Sequence, residues 1–204
     1  MPLRWEVTSG PDIVYGTQQH YSMEPDVSID ESLLLWKGRL LFKQYLPLKR
    51  SRFGIKLYKL CESSTGYVHR FYVHVGKDCS FVLPASGHLV PPAEFGATEN
   101  IVWFLILPLL DKGYRFYVDN FYTSLPLFRM LYQHDTVACG TIRSNRKGYP
   151  VKSLAQRKHT LGQSSALWSG EFLAVRFTDK KDVNMLTTMH SATCTTVLLC
   201  AVEQ

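Results

Sequence analysis

The stretch TENIVWFLILPLLDKGYRFYVDN, running from Thr98 to Asn120, decides the fold of this chain. Thr98 and Glu99 open a helix, with a carboxylate near the positive end of its dipole. The apolar run Ile101–Leu110 forms the body, Pro108 kinks it or ends it early, and Gly113 suits the position after a helix end. The pattern then changes to alternation, with Tyr114, Phe116 and Val118 against Arg115, Tyr117 and Asp119, which predicts a strand.

Upstream of this stretch the chain reads as strands. Val27 and Ile29 alternate with Ser28, Asp30 and Ser32, so a half-buried strand carries Asp30 on its polar face. Gly54–Cys61 sets Ile55, Leu57 and Lys59 against Lys56, Tyr58 and Leu60. The turn Glu62–Gly66 leads to Tyr67–Val75, with Tyr67, His69, Phe71, Val73 and Val75 on one face, which makes a hairpin. Residues 76–97, rich in Gly and Pro, are loop. Downstream, a second helix starts around Thr123–Pro126 with Leu125, Phe128, Leu131 and Tyr132 on one side, and Thr136–Arg143 is a strand. The order β–β–β–α–β–α–β predicts a mixed α/β sheet with helices on its faces. Beyond Arg143 the pattern is short and β-like, at Glu171–Thr178 and Asn184–Met189. Thr195–Glu203 is either a strand or part of a helix.

The composition fits a globular domain. Of 204 residues, 46% are hydrophobic and 20% charged, with 13 Gly and 10 Pro, which excludes collagenous and wholly disordered chains. The net charge of +6 is compatible with a polyanionic partner without establishing one. Five cysteines, none in a CxxC pair, give neither a zinc-site spacing nor an even disulfide framework, and reduced thiols inside a cell fit best. The N-terminal MPLRWEVTSG lacks the apolar core of a signal peptide. The apolar run Ile101–Leu110 falls well short of the roughly 20 residues that span a bilayer. No membrane is expected as a partner.

Two sets of residues can carry chemistry. Asp30 sits in one strand and Asp119 at the carboxyl end of another, where ligands gather in open α/β sheets. Side by side, two carboxylates would offer hard oxygen ligands to one divalent ion; otherwise Asp30 begins a bend and Asp119 caps the turn before Thr123. The second set is basic. Ser32–Cys61 contains Lys37, Arg39, Lys43, Lys49, Arg50, Arg52, Lys56 and Lys59 with no acid, and Arg143–Lys158 contains Arg143, Arg146, Lys147, Lys152, Arg157 and Lys158. Such windows are either solvated faces or phosphate contacts, and the interleaved Trp36, Phe42, Tyr45, Phe53 and Tyr149 can stack on bases or sugars. His69 and His74 fall on opposite faces of one strand and do not make a ligand pair.

Several blocks in register resemble piggyBac-type transposases. Ser28-Ile-Asp-Glu-Ser-Leu33 is followed by Lys37-Gly-Arg39, Gln44-Tyr-Leu-Pro47, Lys49-Arg50 and Phe53-Gly-Ile-Lys56, then by Gly66-Tyr67. Tyr117-Val-Asp-Asn-Phe-Tyr-Thr-Ser124, with Leu127, continues the match. So do Gly140-Thr-Ile-Arg-Ser-Asn-Arg-Lys-Gly-Tyr-Pro150, Phe177-Thr-Asp179 through Val183, and Leu186-Thr-Thr188. The blocks keep the family's order over roughly residues 18–190.

The resemblance implies a ribonuclease H-like core that cuts and joins DNA with three aspartates and divalent metal, normally Mg²⁺. By position, Asp30 matches the first catalytic and metal-binding aspartate and Asp119 the second. The third lies, in the family, in a Gly-Gly-Val-Asp-type block that this sequence lacks; Asp179 and Asp182 come too early. The expectation is therefore an incomplete ribonuclease H-like sheet, missing the helix of the third aspartate, with that loss exposing an apolar patch on one sheet face. Its parts are a loose arm at 1–24, the core at 25–143, a basic, β-rich insertion segment at 144–192 and a divergent apolar tail at 193–204.

Two carboxylates fix a metal pair poorly, so Mg²⁺ is expected to bind weakly or not at all, and strand transfer to be incomplete. DNA is the expected partner, bound mostly through its backbone by Lys37, Arg39, Lys49, Arg50, Arg52, Lys56, Arg143, Arg146 and Lys147. The resemblance also implies a nuclear location and allows a homodimer or partner chain. Two alternatives stand beside this domesticated, truncated core. One is an active nuclease or transposase with the third carboxylate supplied elsewhere; the other is a non-catalytic scaffold or gene fragment.

Overall fold

The computed structural model describes residues 21–47, 52–76, 90–155 and 159–190. Nine strands form one mixed sheet: β1 Asp26–Leu35, β2 Gln44–Tyr45, β3 Phe53–Glu62, β4 Val68–Val73, β5 Arg115–Val118, β6 Val137–Thr141, β7 Ser164–Ser169, β8 Phe172–Thr178 and β9 Asp182–Thr187. The described helices are α1 Ala97–Ile106, α2 Leu125–Gln133 and the single turn α3 Val151–Leu154.

β1 is the hinge of the topology. It runs antiparallel to β3 on one side and parallel to β5 on the other. β5 is parallel to β6, and β6 is followed across the sheet by β9, β8 and β7, each antiparallel to its neighbour. The outer edge of β3 takes β2 at its first residues and β4 along the rest. The sheet runs unbroken past Arg143, because β9 docks on β6.

Alternation explains the layers. Val27, Ile29, Tyr58, Leu60, Phe116 and Ala138 are buried on one face, where Val102, Trp103, Leu105 and Ile106 of α1 and Leu127, Phe128 and Leu131 of α2 meet them in a single core. Each fully buried Val, Leu, Ile or Phe side chain among them contributes roughly 1.5–3 kcal/mol by leaving water. The second helix departs in one respect from its expected face: Tyr132 is exposed, and the buried stripe is Leu127, Phe128 and Leu131.

Local chemistry sets the ends of the elements. α1 stops at Ile106, and Pro108, which has no N–H to give, sits in the 3₁₀ turn Leu107–Leu109 that follows. Asp111 and Gly113 then adopt left-handed backbone, turning the chain into β5. Ser124 caps α2, its hydroxyl accepting the Leu127 N–H at 3.4 Å. In β4 a bulge opposite Leu60 and Cys61 breaks the alternation at His69. His69 is consequently buried while Phe71, expected on the same face, is 37% exposed.

The far ends of β1 and β3 project beyond the core. Leu34, Leu35, Trp36, Tyr45 and Phe53 are exposed there. The face opposite α1 and α2 is polar around its centre, carrying Ser28, Asp30, Lys59, Cys61 and Tyr117. Further exposed apolar side chains lie away from that tip, at Val68 and Phe71 of β4 and at Leu167 and Trp168 of β7.

Candidate functional site

The last register pair of β1 and β5 is Ile29 beside Val118. Asp30 follows within β1 and Asp119 follows the end of β5, the paired strands themselves lying about 4.8 Å apart. Both aspartates are exposed and lie on the face opposite the core, since Ile29 is buried and Val118 packs against the core. The sheet therefore brings together the two carboxylates singled out from the sequence.

Each carboxylate is oriented by a local hydrogen bond. Asp30 Oδ1 accepts the Glu31 N–H at 2.7 Å, and Asp119 Oδ1 accepts the Phe121 N–H at 2.9 Å, an Asx turn. The second oxygen of each has no hydrogen-bond partner among the described residues, leaving hard oxygen donors directed to solvent. That donor set fits one divalent cation completed by water or phosphate oxygens. Among the described residues, no group of three His, Cys, Asp or Glu side chains is placed to hold a metal ion.

The loop after Asp119 is held by Thr123, Arg143 and Arg146. The Asp119 carbonyl accepts the Thr123 N–H at 3.2 Å and the Thr123 hydroxyl at 2.9 Å. Arg143 Nε donates to Asn120 Oδ1 at 3.1 Å, and Arg146 donates to the carbonyls of Asn120 and Phe121 at 3.4 and 2.7 Å. Gly140 lies beside Val118 in the parallel register. A Cβ there would meet Thr123 Oγ1 at 2.5 Å and the Val118 carbonyl at 2.6 Å, so only glycine admits this close approach.

The opposite face of β1 is different. Tyr122, buried in the core, donates its hydroxyl to Glu31 at 3.2 Å, and burial together with the Glu31 charge pushes that phenol far above the usual tyrosine range. Lys56 lies on this side, 4.7 Å from the Tyr58 ring centre and 5.6 Å from that of Phe121.

The other expected cations divide by place. Lys37 and Arg39 are exposed in the loop after β1, Arg52 precedes β3, and Lys147 is exposed in the turn after β6. Arg39 and Lys43 line an open dent of about 370 Å³ with Leu40 and Leu41. Lys49 and Arg50 lie outside the described residues. Of the aromatic residues expected to stack on bases, Trp36, Tyr45 and Phe53 are exposed, Tyr45 and Phe53 with ring centres 4.7 Å apart. Tyr149 is not available: it is buried and its hydroxyl donates to the Val175 carbonyl at 2.9 Å. Its apolar ring fills the space between the turn after β6 and the β8–β9 pair.

Sequence reading counted Lys59 in a basic window but did not place it beside Asp30. It stands directly opposite Asp30 in the antiparallel β1–β3 pair, so both side chains emerge on the same face. Alternation within GIKLYKLC separates Lys59 from Tyr58, but only the strand register reveals the aspartate across from it. Cys61, on the same face, is pushed up by burial, an effect that Lys59 opposes and Asp30 reinforces. Cys61 and Cys139 are both free thiols.

Comparison with known proteins adds to this geometry. A family model described as Transposase IS4 matches residues 12–200. A cryo-electron microscopy structure of a piggyBac transposase synaptic complex with hairpin DNA is similar at a TM-score of 0.72 and 28% sequence identity. The likeness covers 87% of this chain and 36% of the transposase chain, so the chain spans about a third of that protein's length.

Proposed function

The chain belongs to the Transposase IS4 family, and from that premise we propose that it is a piggyBac-type core that grips DNA by its phosphate backbone and offers Asp30 and Asp119 to one divalent cation. The observation supporting this reading is the β1–β5 register, whose last pair is Ile29 beside Val118, with Asp30 and Asp119 the residues that follow. The similar transposase is described in complex with hairpin DNA, which supports DNA as the partner here. A ribonuclease H-like core is part of the proposal. Three antiparallel strands β4, β3 and β1, then β5 and β6 parallel to β1, with α1 before β5 and α2 between β5 and β6, are in keeping with it. On this reading residues 25–143 are the core and residues 144–192 extend its sheet.

A bound divalent cation polarises a phosphodiester oxygen and lowers the pKa of its water. Asp30 and Asp119 would hold it, and the Asx turn and the Arg143–Arg146 clamp keep Asp119 in place. With two carboxylates the site lacks the fixed geometry that a metal pair about 3.5–4 Å apart requires. These 204 residues are accordingly proposed to bind DNA without completing strand transfer by themselves. Lys37, Arg39, Lys49, Arg50, Arg52, Lys56 and Lys147 are the proposed backbone contacts, with Arg143 and Arg146 beside the loop, and the place of action is the nucleus. Among the described residues, no helix is long and apolar enough to cross a membrane.

Salt-titrated fluorescence anisotropy on duplex DNA, paired with a cleavage assay in Mg²⁺ or Mn²⁺, tests the proposal. Expected are salt-sensitive binding, little preference among sequences, and no cleavage that Asp119→Ala removes. Absence of binding at low salt overturns it in favour of a non-nucleic-acid scaffold. Asp119-dependent cleavage would instead favour an active enzyme whose third carboxylate comes from another segment or a partner chain.

A further inference from the structure

Among the described cations near the acidic pair, Lys59 is one left uncommitted. Arg143 and Arg146 are bonded to the loop after Asp119. Arg115 pairs with Asp26 at 2.5 Å, and Lys56 lies over rings on the opposite face. Lys59 makes no hydrogen bond or ion pair among the described residues. Its Cβ is about 4.5–5.5 Å from that of Asp30, the spacing of directly opposed residues in an antiparallel pair. On its other side stands Phe71, which offers no competing charge. The ammonium of Lys59 on its flexible stem therefore has Asp30 as its directly opposed charged neighbour, with Asp119 one strand further on.

Resting on the reading of Asp30 and Asp119 as a cation site, we infer that Lys59 is a positioning residue that makes cation binding there depend on a polyanion. Without DNA, the Lys59 charge already balances part of the two carboxylates and repels a divalent ion. When a phosphate arrives over the exposed face beside these residues, it supplies the negative charge that lets lysine and metal share the site. Lys59 then attracts the phosphate instead of competing for the carboxylates. The two ligands are coupled, and reciprocity requires each to raise the other's affinity by the same factor. The site is thereby kept closed to free metal and opened by its nucleic-acid partner.

The test is Mn²⁺ titration of the full chain by electron paramagnetic resonance, with and without a duplex of arbitrary sequence, at constant ionic strength. Variants are Lys59→Met, Lys59→Arg and the double variant Asp30→Asn/Asp119→Asn, the last correcting for Mn²⁺ held by DNA alone. The wild-type chain is expected to bind Mn²⁺ about tenfold more tightly when DNA is present. Lys59→Met should bind Mn²⁺ about fivefold more tightly without DNA and lose most of the enhancement, while Lys59→Arg keeps it. Thermal melts of both variants establish that they are folded. Mn²⁺ binding that needs Asp30 and Asp119 yet is unchanged in Lys59→Met overturns the inference alone. Binding indifferent to both aspartates, with or without DNA, overturns the inference together with the reading beneath it.

Discussion

Arg146 donates a guanidinium N–H to the carbonyl of Phe121 at 2.7 Å, so a side chain from the turn after β6 closes the loop that Asp119 begins. A basic residue that reads as a phosphate contact is thus tied to the backbone beside the proposed metal ligand. Arg143 does the same through Asn120 Oδ1. The two arginines hold the loop in register with β6, and Asp119 inherits its place from them.

Replacing Arg146 by Gln should therefore act first on stability. Hydrogen bonds to charged groups are worth about 1.5–3 kcal/mol, and the two carbonyls would be left with water alone. A thermal melt should show that loss for Arg146→Gln and nothing measurable for the exposed Lys147→Ala. In DNA binding the ranking reverses: each true phosphate contact contributes about 0.9 to the salt slope, so Lys147→Ala flattens it. Equal stability of the two variants would refute the clamp.

Gly140→Ala places a methyl group against Thr123 Oγ1 and the Val118 carbonyl. Overpacking of this kind costs about 1–3 kcal/mol, and backbone on one side leaves little room for relief. Chemical denaturation should show that cost, with Mn²⁺ affinity falling as the Asp119 loop shifts. An alanine variant as stable as the wild type would contradict the close approach of these strands.

Glu62, buried at the end of β3, accepts hydrogen bonds from the Thr65 hydroxyl, from the Glu24 N–H at 2.6 Å and from the Tyr21 hydroxyl at 2.8 Å. Those bonds, Thr65 foremost, outweigh burial and hold its carboxyl below the usual range. A lowered folded-state pKa means the stabilisation is complete above the unfolded value of about 4.3 and is lost as pH falls through the folded one. Melting temperature against pH should therefore fall more steeply on the acid side for wild type than for Glu62→Gln. Parallel acid limbs would show that Glu62 does not anchor residues 21–24 to the hairpin.

Tyr149→Phe removes a buried hydroxyl that donates to Val175 and whose pKa burial has pushed up to about 12. The loss is expected at roughly 1 kcal/mol by denaturant titration. Because the ring remains, DNA affinity should not change; a marked drop in affinity would mean that Tyr149 reaches nucleic acid after all.

Much of this protein could be read residue by residue. Val27 and Ile29 against Asp30, the apolar run from Ile101, the alternation to Asp119 and the helix start around Thr123–Pro126 are local signals, and each produced its element in the expected order. The family was equally legible, since it rests on blocks such as Tyr117–Ser124 and Gly140–Pro150 that survive in one dimension. What lay beyond the chain's own order was pairing. The neighbour of Asp30 is Lys59 because β1 and β3 meet in one particular register, and a shift of one residue would have turned Lys59 to the core. The bulge at His69, the burial of Tyr149 and the addition of β7–β9 to the same sheet likewise depend on which edges meet. Local propensity acts over a few residues, whereas strand register is chosen by the burial of whole faces against α1 and α2. Tertiary packing therefore decided which charges stand together around Asp30 and Asp119.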